Sequence, residues 1–154
     1  MDLVQKLKNL GFELPEVAPP AANYVPYMIS GNMLFISGQI PFINGKAVHL
    51  GRVGYSLSLE KGIEAAQACA LNILAQANDA VGGDWSKIKQ CVKIGGFVNC
   101  TDNFVDHPKV INGASDLLAD VLGDKGRHTR FAVGAPSLPL GVAVEIEALF
   151  ALNL

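Results

Sequence analysis

The sequence predicts an α+β fold: about six mostly antiparallel strands with two helices packed on one face of the sheet. Three observations carry this. Hydrophobic spacing switches between period two and steps of three and four, in the order ββ(β)-α-β-α-ββ. Turn signals (Gly, Pro, Asn, Asp) separate these runs. Only 17% of the residues are charged while 50% are hydrophobic, so both faces of the strands are too apolar for one of them to be wet.

The elements follow in order. Leu3, Val4, Leu7 and Leu10 mark a short N-terminal helix, with Gly11 where a terminating glycine belongs. The segment ELPEVAPPAA is held extended by its prolines and is expected to lie over the surface as a leader. Tyr24–Ile29 and Met33–Ser37, split by Ser30-Gly31-Asn32, read as a hairpin. NGKAV reads as a turn into a short third strand. Ser58 caps a long helix whose apolar stripe runs from Ile63 to Val81 and stops at Gly82-Gly83.

Ile88–Cys100 reads as a strand, with Gly95-Gly96 signalling a bulge or a close backbone approach. Asp102 is a candidate cap for a second helical region. Pro108 lies near its start, Val110 to Val121 form its apolar face, and Gly123 stops it. The chain from Arg127 to Phe150 then reads as two apolar strands joined by a Pro/Gly loop. A length of 154 residues makes this a single domain, 1–154, with a leader over 1–20 and a core over 21–154.

Composition narrows the function. A net charge of −2 with no Lys/Arg cluster gives no footprint for nucleic acid, so none is expected as a partner. No run approaches a membrane span and no signal peptide opens the chain, so no membrane association and a cytoplasmic location are expected. Cys69, Cys91 and Cys100 lack C-x-x-C spacing and read as buried hydrophobes. His49, His107 and His128 have no metal-ligand spacing and read as solvated or capping. Neither a metal nor a cofactor is expected.

The charges that need explaining are Arg130, Glu145 and Glu147, inside the two last, apolar strands. Alternation puts His128, Arg130, Ala132 and Gly134 on one face, so small side chains flank the guanidinium. Glu145 and Glu147 share a face of the next strand. A hairpin of suitable register would set one of them beside Arg130, either as a structural ion pair or as a fork for a ligand carboxylate with a glutamate to handle protons.

Three segments resemble a known family. SGQIP at Ser37–Pro41 after GNMLFI, R-x7-LP at Arg130–Pro139, and VEIE at Val144–Glu147 are similar, in order and separation, to signatures of the Rid (YjgF-type) reactive enamine/imine deaminases, also labelled endoribonuclease L-PSP. The likeness covers roughly residues 20–152. It implies a chorismate-mutase-like α+β domain assembled as a homotrimer, with a small carboxylate substrate bound in clefts between neighbours. Self-packing would account for the doubly apolar strands.

The resemblance assigns the carboxylate-binding arginine to Arg130 and the site glutamate to Glu145. It assigns further binding positions to Tyr24, Gly38 and Asn112. Ala132 stands where the deaminases often have cysteine, and GRVGYSLSLEKG departs from the usual approach to the first helix, which marks a divergent subgroup. The implied reaction is cofactor-independent hydrolysis of 2-imino or 2-enamine acids to 2-keto acids and ammonia, with Arg130 and Glu145 as the catalytic pair and the backbone around Ala132 and Gly38 polarising the site. The alternatives are a non-catalytic sensor of small carboxylates or keto acids and, third, a ribonuclease acting as a translation inhibitor.

Overall fold

A computed structural model describes residues 2–17, 19–20 and 22–154; part of the leader segment, Ala18 and Ala21, therefore lies outside the described residues. The elements are helix α1 (Leu3–Asn9), strands β1 (Tyr27–Ser30) and β2 (Met33–Gln39), a ribbon of β3 (Phe42–Ile43) and β4 (Lys46–Ala47), helix α2 (Leu59–Ala80), β5 (Ile88–Asn99), helix α3 (His107–Leu122), β6 (Thr129–Ala135) and β7 (Val144–Leu152). Short 3-10 turns sit at Trp85–Lys87, Gly123–Gly126 and Pro139–Gly141. Among the described residues no helix is long and apolar enough to cross a membrane.

Local chemistry accounts for the boundaries. The Asp2 and Ser58 side chains accept from Gln5 N and Lys61 N at the starts of α1 and α2. Asn44 and Gly45 form the ribbon turn with φ of 51° and 79°, the left-handed pair that a two-residue hairpin needs. Asn72 in α2 donates to the Ile40 and Phe42 carbonyls, 3.0 Å each, and ties the ribbon to the helix layer. Asp102 does not cap α3: the helix starts at His107 after Asp106, which makes no side-chain cap bond, with Pro108 in the first turn. Tyr24 lies in a bend, and β1 begins at Tyr27, later than its β-rich sequence suggests.

Five strands form one sheet in the order β1-β2-β7-β5-β6. All pairs are antiparallel except β5–β6, which is parallel and is connected through α3. Helices α2 and α3 cover one face. Their contact depends on small residues: a Cβ on Gly113 would run into the backbone carbonyl of Ile63. Leu34, Ile36, Ile94, Val98, Val144, Ile146, Ala148 and Phe150 point from the sheet into this core. The three cysteines are buried and free, in keeping with the sequence expectation.

The last two strands are not a hairpin. β5 lies between them, so that Arg130 is level with Ile94 and Ile94 with Ala148. Residues 136–143 are long enough to carry the chain past the end of β5. They are held there by Gly51 N to Gly141 O, Ala143 N to His49 O and Asn99 N to Ala143 O. The register shifts of β5 fall at Ile88/Gln90 and Cys91/Lys93, not at Gly95-Gly96. Those glycines serve close approach: Phe131 and Glu147 cover Gly95, and Ile111 covers Gly96.

The uncovered sheet face is apolar. Met28 is 58% exposed, Phe35 44%, Phe97 38% and Val133 43%, which leaves a broad hydrophobic surface without a helix over it.

Candidate functional site

Because β5 intervenes, Arg130 and Glu145 lie on strands two spacings apart, about 10 Å, are offset by three residues along them, and project from opposite faces. The Arg–Glu contact expected from a hairpin does not form. Among the described residues no carboxylate is within ion-pairing distance of Arg130. The charged groups instead fall into two clusters.

The first cluster lies on the open face. Glu145 pairs across the sheet with Phe97. On its other side is Gly38, at the irregular end of the β2–β7 register, where a Cβ would overlap the Glu145 carboxylate oxygen. Glycine is therefore required for the carboxylate to lie flat over β2. The preceding residue, Ser37, donates through Oγ to the Val25 carbonyl at 2.8 Å and through its backbone to Pro26. This draws the exposed Tyr24 segment to the same edge. Burial pushes the Glu145 carboxyl above its ordinary value of 4.5.

The second cluster lies on the helix side of the edge strand β6. Arg130 Nη1 donates to Ser115 Oγ at 2.9 Å and Nη2 to the Pro108 carbonyl at 3.1 Å, both on α3. The rest of its five N–H donors have no protein acceptor among the described residues. Ala132 and Gly134 follow on the same face. A Cβ on Gly134 would meet Cys100 Sγ and His107 Nε2, each at 2.8 Å. Cys100 and His107 are themselves 3.5 Å apart, and burial pushes the Cys100 thiol up. His128 touches Ser115 at 2.9 Å through Nε2 and the Gly126 carbonyl through Nδ1.

Of the positions expected from the sequence, Gly38 and Glu145 thus come together, the exposed Tyr24 precedes the Val25-Pro26 backbone tied to Ser37, and Arg130 stands with Ala132. Asn112 belongs to neither cluster in a single chain. It is exposed on the outer side of α3, beside Leu10, Phe12 and Gln67. The α3 side chain that meets Arg130 is Ser115. His107 and His128 are not isolated, solvated histidines, since each is engaged beside this cluster. The signal for His128 was present, because alternation had already placed it on the face of Arg130. Ser115 and Cys100 carried none, since their contacts depend on how α3 packs against β6.

Residues 4–152 match the family described as "YjgF/chorismate_mutase-like, putative endoribonuclease". The chain belongs to the YjgF/chorismate-mutase-like family. Among curated proteins of the family, it is 45% identical to Protein TCP17 of Trypanosoma cruzi over 96% of this chain and 92% of the other. Among solved structures, Atu1372 of Agrobacterium tumefaciens is 48% identical with a TM-score of 0.93, covering 98% of this chain and 92% of that one. A protein of Shewanella oneidensis described as a putative endoribonuclease is 36% identical with a TM-score of 0.93, covering 98% and 99%. The sheet order and helix layer described above are thus those of a YjgF-type protein.

Proposed function

We propose that this YjgF-type protein hydrolyses small 2-imino or 2-enamine acids to 2-keto acids and ammonia, without a cofactor, in clefts between copies of the chain. The supporting observation is the separation of two incomplete clusters. Arg130 has free donors and no carboxylate partner, while Glu145 is half-buried with no hydrogen-bonding partner of its own among the described residues. Each lacks what the other supplies. Because β6 is an edge strand, the Arg130 cluster of one copy can approach the open face of the next, and the apolar face would be buried by the same association. A homotrimer is the assembly proposed.

The chemistry needs little beyond placement. Arg130 would take the substrate carboxylate through the N–H groups that α3 leaves free. Water adds to the C=N carbon and loses a proton to the Glu145 carboxylate. The protonated Glu145 returns that proton to nitrogen to give a carbinolamine; the carboxylate then takes the proton of the new hydroxyl and passes it to nitrogen as the C–N bond breaks, so imine and water become keto acid and ammonia. A carboxyl raised by burial exchanges protons nearer to neutrality, which suits it to both steps. Backbone N–H groups near Gly38 and Ala132 would polarise the carbon under attack.

The test couples the protein to a pyridoxal-phosphate lyase that releases aminoacrylate and follows pyruvate formation. Wild type is expected to accelerate it and Arg130→Ala to lose about 10²-fold or more of that acceleration. No acceleration by wild type would sink the proposal. The presence of Ala132 at the cysteine position favours one second reading, a sensor that binds keto acids without turnover, and calorimetric binding without catalysis would select it.

A further inference from the structure

The hydrogen bonds behind Arg130 admit one consistent assignment of donors with a neutral histidine. The Gly126 carbonyl can only accept, so His128 carries its hydrogen on Nδ1, 2.6 Å away. Nε2 is then an acceptor, and the Ser115 hydroxyl at 2.9 Å donates to it. With its hydrogen so directed, Ser115 Oγ presents lone pairs to Arg130 Nη1, which can only donate. The second guanidinium nitrogen is anchored on the Pro108 carbonyl, about two helical turns before Ser115 on the same helix. Both ends of the fork are therefore held from behind by α3.

We infer that Ser115 and His128 are positioning residues: the relay Gly126–His128–Ser115 aims the Arg130 guanidinium and so sets the affinity for a substrate carboxylate. The inference rests on Arg130 being the carboxylate clamp proposed above. Without an acceptor at 128, the Ser115 hydroxyl is free to turn to the carbonyl four residues back in its helix, and its lone pairs turn with it. Neither side chain needs to touch substrate for this, and neither is given a proton-transfer step.

Two measurements test it. In 15N-labelled wild type, the ring shifts of His128 should report the Nδ1–H tautomer, and rotation of the Arg130 Nη groups should be slow. Ser115→Ala and His128→Leu should speed that rotation, whereas Ser115→Thr and His128→Gln, which keep the hydroxyl and an acceptor, should preserve it. In calorimetry with pyruvate as the probe, Ser115→Ala and His128→Leu should weaken binding about tenfold, the loss of one charge-assisted contact. The conservative substitutions Ser115→Thr and His128→Gln should stay within about threefold of wild type. Ser115→Asp should abolish binding by giving Arg130 a carboxylate within its own chain.

Arg130 Nη rotation as fast in wild type as in Ser115→Ala would overturn the inference, as would unchanged pyruvate affinity in both Ser115→Ala and His128→Leu when Arg130→Ala loses it. Failure of the clamp itself looks different: Arg130→Ala would bind pyruvate as well as wild type, and the rotation measurement alone would then decide the relay.

Discussion

At the scale of single residues, the fold places a carboxylate where water is partly excluded and gives it a glycine to lie against. Burial raises Glu145 above its value in an unfolded chain. Its protonated form therefore favours folding, and that contribution is complete below the ordinary value of 4.5 and lost as pH rises through the folded value. Glu145→Gln removes the dependence. The variant should melt at higher temperature than wild type at neutral pH, and the gap should close as pH falls toward the ordinary glutamate value, which thermal denaturation across pH will check. The same variant should lose about 10²–10⁴-fold in imine hydrolysis. Position and polarity of Glu145 were legible in its sequence, because alternation along a strand is a local property. The carboxylate's neighbours were not: that Gly38 lies beneath it depends on pairing between segments over 100 residues apart in the numbering.

At the scale of elements, capping and periodicity located the two long helices and most strands, and the two-residue turn of the ribbon declared itself through Asn44-Gly45. What could not be read was which strand lies beside which. A Pro/Gly loop between two apolar runs ordinarily means a hairpin, but residues 136–143 are long enough to admit a strand between, and β5, apolar enough to be buried on the helix side, occupies the place. The helix layer is set by equally specific small residues. Gly113 lets α3 lie directly on the α2 backbone at Ile63. Gly113→Ala should push the helices apart and cost about 1–3 kcal/mol, measurable by chemical denaturation. Since Ser115 is on the same helix, the substitution should also weaken carboxylate binding at Arg130.

At the scale of the whole molecule, the proposed association of the chain with itself would account both for the two clusters on opposite faces and for the apolar sheet surface. Mixing tests the sharing directly. Arg130→Ala and Glu145→Gln proteins should each be inactive in imine hydrolysis, and co-refolding them should restore part of the activity, because some interfaces then join an intact Arg130 to an intact Glu145. No recovery in mixtures shown to be co-assembled would place the whole site within one copy. Phe97→Glu, at the centre of the apolar face, should reduce the mass seen by light scattering to that of a monomer and remove activity with it.

The position of β7 has a consequence for how the chain reaches this state. β7 bonds to β2 on one side and β5 on the other, yet it follows every other strand in the chain. During synthesis, β1–β2 and the β5–α3–β6 unit emerge as two half-sheets, each with an unpaired edge that only Val144–Leu152 can close. Long-range pairing of this kind is slow and leaves edges open to wrong partners. A nascent chain stalled before Val144 should accordingly be protease-sensitive and held by chaperones, and a synthetic peptide spanning Val144–Leu152 should capture it.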